Sequence, residues 1–186
     1  MAVALALLPG PALAQAPPPV AANTVRCTYD TLSQEDREIA LLLIFVRTDS
    51  EEKLSESWGR NLVVANRLLD AARSRCRAAY GWDRSKGRLA YDYAMSALTL
   101  EAVGQAVESD GSHSLKPIER FFHDHQARLR KLSGYGNEDI EGFAEYLSEQ
   151  GWDEDEDKPR ALAKSYLKAL IRRDAHERSF AAQPAR

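Results

Sequence analysis

Cys27 and Cys76 are the only cysteines in this 186-residue chain, and the segment ahead of them has the composition of an export signal. The two facts belong together. A chain delivered to an oxidising compartment keeps a disulfide, whereas cytosolic thiols are held reduced. A Cys27–Cys76 bridge therefore sets the expected compartment and one long-range contact that the fold must satisfy. Closing a loop of about 50 residues contributes roughly 4 kcal/mol on the chain-entropy account, a model-dependent figure.

Residues Met1 to Leu8 are wholly apolar, Pro9-Gly10-Pro11 breaks the run, and Ala12-Leu13-Ala14 follows. This is the short apolar core and small-residue cleavage site of a secretory signal. Cleavage after Ala14 is expected, because the alternative frame Ala14-Gln15-Ala16 puts Pro17 directly after the cut. No Lys or Arg precedes the apolar core, so the charged lead of such a signal is missing from these residues. Thr24-Val25-Arg26 ahead of Cys27 is not a lipid-attachment context. The apolar run Ile39 to Val46 falls far short of the roughly 20 residues that a membrane helix needs. The expected location is periplasmic or secreted, with no transmembrane segment in the mature chain.

The expected domains are a signal peptide over 1–14, an extended Pro/Ala-rich arm over 15–30, a helical domain over 31–180 and a disordered tail over 181–186. About 170 mature residues suffice for one domain with a core of its own. The pattern over 31–180 is helical throughout, with no alternating strand and no Asn-Gly or Asp-Gly hairpin signal. Ser33 followed by Asp36 opens a first helix running to about Arg47. Ser50, with Glu51 and Glu52 behind it, opens a second. Its apolar stripe is Trp58, Leu62, Ala65, Leu69, Ala72, Cys76 and Ala79, and Gly81 stops it. A third helix carries Leu89, Tyr93, Ala97, Leu100, Val103 and Val107. A fourth runs from Ser114 to Gly134 through Ile118, Phe122, His125, Leu129 and Leu132, with Pro117 tolerated in its first turn. A short fifth holds Ile140, Phe143 and Leu147, and a sixth starts at Asp157. Short connections favour antiparallel neighbours. The expected fold is all-α: a single-domain bundle of five to six antiparallel-type helices stapled by one disulfide.

Gly81-Trp82-Asp83 and Gly151-Trp152-Asp153 echo each other, each following an amphipathic helix and each followed by Lys-x-Arg. Two similar three-helix units would produce this echo. So would two helix ends that use the same stop, in which glycine takes the left-handed position and the next apolar residue packs back.

Net charge is −3, but the charges are segregated. The segment from Arg60 to Arg88 is basic, and the segment from Glu138 to Asp157 contains no Lys or Arg. Such blocks are either solvated faces or docking surfaces. As docking surfaces they nominate Arg73, Arg77, Arg84 and Arg88 on one side. Glu138, Asp139, Glu141, Asp153, Glu154, Asp155 and Glu156 form the other. The acidic overall balance and the lack of any nucleic-acid-binding motif argue against nucleic acid as a partner.

His123-Asp124-His125 invites a metal reading, but residues two apart on a helix point about 200° from each other. Glu119 and His123 share a face, which gives only two ligands where zinc wants three or four. The Asp153–Asp157 run fails as a calcium loop, because Lys158 and Lys164 stand where the glycine and glutamate would be. A bridged cysteine pair leaves no thiol nucleophile. Neither a Gly-x-Ser-x-Gly elbow nor a glycine-rich phosphate loop is present. The aromatic set Trp58, Tyr80, Trp82, Tyr91 and Tyr93 reads as core before ligand box.

These features lead to the expectation of an exported, non-catalytic bundle that binds another macromolecule through charge-segregated surfaces, in an adaptor, inhibitor or chaperone-like role. The expected partner is a protein or envelope component, and no cofactor is called for. One alternative is an exported enzyme or metal binder using Glu119, His123 and His113. Another is a small-ligand carrier with an apolar, aromatic-lined cavity.

Overall fold

The computed structural model describes residues 22–48, 56–109, 111, 113–131, 140, 142–153 and 157–184, and among these every regular element is a helix. In chain order they are α1 (Cys27–Asp30), α2 (Gln34–Thr48), α3 (Glu56–Tyr80), α4 (Arg84–Glu108), α5 (Lys116–Asp124), α6 (Gln126–Leu129), α7 (Phe143–Glu149) and α8 (Asp157–Ala181). The all-α bundle is thus as expected, with α1 and α6 as two short additions. The signal segment, the Ser50–Glu52 helix start and the acidic residues Glu138, Asp139, Glu141, Glu154, Asp155 and Glu156 lie outside the described residues. So do the side chains of Trp58 and Leu62.

Local chemistry sets most helix ends. The Asp36 backbone N–H donates to Ser33 Oγ at 3.1 Å, and the Ser33 N–H donates to Asp36 Oδ2 at 3.3 Å, a reciprocal capping box at the start of α2. Asp83 caps α4 by accepting from the Lys86 N–H at 2.8 Å. At the other ends, Gly81 (φ +63°) and Gly151 (φ +83°) take the left-handed conformation. Beyond them the Trp82 N–H reaches back to the Arg77 carbonyl at 3.2 Å, and the Trp152 N–H to that of Leu147 at 3.0 Å. Both are Schellman closures, in which the left-handed residue lets the chain turn back onto unused carbonyls. This shared stop accounts for the echo without a duplication. The two tryptophans then pack differently: Trp82 meets Phe180 edge-on at 5.1 Å, and Trp152 meets the His113 ring at 4.1 Å.

The long α4 and α8 pack on each other more extensively than any other pair. They run antiparallel: Lys86 Nζ, near the start of α4, donates to the Pro184 carbonyl at 3.1 Å. Toward its far end, a Cβ on Gly104 would lie 3.5 Å from the Tyr166 ring. α4 therefore serves both halves of the core. Leu100, Val103 and Val107 join Ile118, Phe121, Leu129, Phe143, Leu147 and Leu167 in a cluster with α5 to α8. Ala94, Leu98 and Ala102 join Leu32, Ala40, Ala65, Leu69 and Ala72 in a second cluster with α2 and α3. A third surrounds the disulfide and contains Val25, Trp82, Ala90, Tyr93 and Phe180.

Two expectations are corrected. The arm does not stay extended to residue 30: Cys27–Asp30 is the helical turn α1, and Trp82 Nε1 donates to Asn23 Oδ1 at 2.8 Å. At the C-terminal end, Gln183 Nε2 donates to Ser85 Oγ of α4 at 2.8 Å. The helix expected over 114–134 is broken at His125, whose ring stacks on Phe121 at 4.3 Å with Nδ1 3.0 Å from the Phe121 carbonyl.

Candidate functional site

Cys27 and Cys76 are bridged with their Cα atoms 6.1 Å apart, and both are fully buried. Cys27 belongs to α1 and Cys76 to the last turns of α3, so the bond fixes α1 against the bundle. α1 and α8 then flank α4 and leave a groove between them. The groove is lined by Arg26 and Tyr29 from the α1 side, Tyr93, Ala97, Leu100 and Glu101 from α4, and Tyr166, Arg173 and Glu177 from α8. Its volume is about 490 Å³, which is in the range of small-ligand and peptide-side-chain sites.

Helix periodicity explains the lining. Tyr93, Ala97, Leu100 and Glu101 follow the i, i+4, i+7, i+8 spacing of one α4 face, and Tyr166, Arg173 and Glu177 follow i, i+7, i+11 on α8. The face begins as core and ends polar: Tyr93, Leu100 and Tyr166 are each 6% exposed, whereas Arg26 and Glu177 are exposed.

The three phenols differ in their partners. The Tyr29 hydroxyl donates to Glu101 Oε2 at 2.9 Å, and that of Tyr166 donates to Glu119 Oε1 at 3.1 Å. Burial, then the adjacent Glu119 charge and its hydrogen bond, push the Tyr166 phenol up to about 12. Burial, with the Glu101 hydrogen bond behind it, also raises Tyr29. Burial raises Tyr93 as well, opposed by the positive charges of Arg173 and Arg26. Tyr93 has no hydrogen-bonded side-chain partner among the described residues. Arg26 pairs with Asp30 at 3.4 Å.

The residues nominated from sequence are dispersed. On the basic segment, Arg73 bonds Asp70 at 2.9 Å and lies 5.4 Å from the Tyr91 ring centroid. Arg77 Nε donates to the Trp82 carbonyl at 3.4 Å, and Arg88 pairs with Asp92 at 3.7 Å. Three of the four arginines therefore have partners inside the molecule, and only Arg84 stands exposed without one among the described residues. Asp153, the one described member of the acidic set, is exposed just ahead of α8. Arg84 opens α4 beside the end of α8 and Asp153 precedes the start of α8, so these two residues sit at opposite ends of the α4–α8 pair.

The metal candidates are separated too. Glu119 accepts from Tyr166, His113 packs on Trp152, and His123 is exposed with its ring edge to Phe122. Among the described residues no group of three or more His, Cys, Asp or Glu side chains is placed to hold a metal ion. Of the aromatic set, Tyr80 and Trp82 belong to the core around the disulfide, while the Tyr91 hydroxyl donates to Asn66 Oδ1 at 3.0 Å. Tyr93 alone of the described members lines the groove.

Reading the sequence along its length missed the groove, because its lining comes from three distant segments. The available signal was Tyr93, Ala97 and Glu101 at four-residue spacing, where an apolar stripe turns polar. No family model matches the chain, and searches of curated proteins and of solved structures found no similar protein. Among the described residues no helix is long and apolar enough to cross a membrane.

Proposed function

We propose that this is an exported, non-catalytic binding protein that holds another protein by a segment laid in the groove between α1, α4 and α8. The observation that carries this reading is Tyr93, whose ring is buried while its hydroxyl opens on the groove without a side-chain partner among the described residues; the other two groove phenols are bonded to carboxylates. A hydroxyl donor presented at a concave surface is available to a ligand. Export is supported by the signal-like residues 1–14 and by a disulfide that oxidising compartments preserve. The periplasm or the extracellular space is the proposed location.

The second reading places docking on the charged ends, and the exposed positions of Arg84 and Asp153 favour testing it. Site-specific photocross-linking separates the two. A photoreactive residue is placed at Ala97 in the groove, at Arg84, or at Asp153, in the full oxidised chain within its own cell envelope. The groove reading expects one protein adduct at Ala97 that disappears when Arg173 is replaced by glutamate. Adducts confined to Arg84 or Asp153 would move the docking site to the charged ends.

A further inference from the structure

The geometry points to a carboxylate-binding site in this groove: the Tyr93 hydroxyl and the Arg173 guanidinium receive the carboxylate of a monoanionic ligand whose apolar body lies over Ala97 and Leu100. The assignment deepens the proposed function and rests on its reading of the groove.

The donor arrangement is the first argument. Tyr93 is 94% buried, taking its 6% exposure as the remainder, and its ring sits in the core around the disulfide. Its hydroxyl is the only one of the three groove phenols without a carboxylate partner among the described residues. Arg173 lines the same groove and makes no hydrogen bond or ion pair among the described residues. Of the charges acting on Tyr93, Arg173 is the strongest and Arg26 the next, ahead of Glu177 and Asp30. A hydroxyl donor that lines one groove with a guanidinium suits an acceptor-only oxyanion, and guanidinium pairs with carboxylate in two parallel hydrogen bonds.

The charge balance narrows the oxyanion. The lining sets Arg26 and Arg173 against Glu101 and Glu177. The lining carboxylates oppose a phosphate dianion more strongly than a monoanion, and with Asp30 on Arg26 the cation left to receive one charge is Arg173, which has no ion-pair partner among the described residues. Arg173 and Glu177 are one helical turn apart, so Glu177 can accept a donor group next to the bound carboxylate. Ala97 and Leu100 supply the apolar contact. The ligand chemistry is therefore an amphiphilic monocarboxylate. With the groove read as the place where another protein is held, its source is the C-terminal residue of a polypeptide.

Amide-resolved NMR titration of the oxidised full chain tests this with four probes: 4-phenylbutyrate, 4-phenylbutyramide, N-acetyl-Ala-Ala-Phe with a free C-terminus, and its C-terminal amide. The acids should shift Ala97, Leu100 and Arg173 resonances, and the amides should bind about tenfold more weakly or not at all. Tighter binding of the peptide acid than of 4-phenylbutyrate supports a chain end as the source, and the reverse order overturns it. Arg173→Gln should weaken the acids about tenfold while leaving the amides unchanged. Tyr93→Phe, which keeps the buried ring, should weaken the acids by a smaller factor at unchanged melting temperature. Equal binding of acid and amide, shifts confined to other faces, no binding of any probe at millimolar concentration, or tighter binding of inorganic phosphate would each overturn the assignment. If the acid–amide contrast fails while the Ala97 cross-link persists, the carboxylate is wrong and the groove stands; if both fail, the groove reading falls as well.

Discussion

At the scale of single residues, burial and partner geometry decide which groups titrate and when. Tyr166 illustrates the alkaline side. Its phenol is held neutral to about 12 by burial and by the Glu119 carboxylate, which accepts its hydrogen bond. A raised folded-state value means that the unfolded chain loses this proton first, so the contribution to stability is intact below about pH 10 and declines as pH rises toward 12. Ultraviolet titration of phenolate should show one tyrosine ionising last, and Tyr166→Phe should remove that component. His176 illustrates the acidic side. Burial lowers its value, helped by Arg172 on its own helix and opposed by Asp92 on the facing α4. The unfolded chain then takes up the proton first, so stability is intact above about pH 6.5 and falls as pH drops below it. His176→Gln should flatten the melting temperature between pH 7 and 5. Further down in pH, burial would raise Asp174, but its bonds to Arg130 and Arg178 outweigh this and hold the carboxyl below its usual value. That contribution is lost only as pH falls through the carboxylate range.

At the scale of elements, the helix ends are local devices and the helix packing is not. Gly81→Ala and Gly151→Ala each force a Cβ into a left-handed residue and should each cost about 1 kcal/mol in denaturant melts. Asp83→Ala should cost a similar ~1 kcal/mol by removing the α4 cap. Gly104 belongs to packing: a Cβ there would already lie 3.1 Å from Leu115 Cδ1 and 3.5 Å from the Tyr166 ring. Gly104→Val should therefore push α8 off α4 at a cost of roughly 1–3 kcal/mol, and it should also deform the groove wall that Tyr166 provides. This contrast explains what could be read from the chain alone. Ser33 with Asp36, Gly81, Gly151 and the start at Asp157 were legible because each is settled within a few residues. The break at His125 was not, because a ring stacked on Phe121 and bonded to its carbonyl makes it, within a pattern that reads as one continuous helix. α1 was illegible for a different reason: four residues carry no periodicity, and the disulfide and long-range contacts with the other helices hold that turn.

At the scale of the whole molecule, the cysteine pair connects stability to the groove. Cys27 and Cys76 were legible as a bridge, but what the bridge does depends on which face of α4 it leaves open, and that follows only from how α1 and α8 come to flank α4. By holding α1 against the bundle, the disulfide sets one groove wall, with Arg26 and Tyr29 on it. Two effects of reduction should therefore separate. The loop of sequence separation 49 implies a loss of roughly 4 kcal/mol in global stability on the chain-entropy account, read as a lower midpoint in a denaturant melt of the Cys27→Ser/Cys76→Ser chain. Under conditions where that variant is still folded, hydrogen exchange should speed up first at α1, because it is a single helical turn held otherwise by its packing on α3 and α4, the Tyr29–Glu101 hydrogen bond and Arg37 over the Tyr29 ring. Binding of 4-phenylbutyrate should weaken in step with that local opening, since Tyr93 on α4 and Arg173 on α8 stay in place while the opposite wall moves away from them. Unchanged exchange at α1 in the folded variant would show that the disulfide stabilises the bundle without shaping the groove.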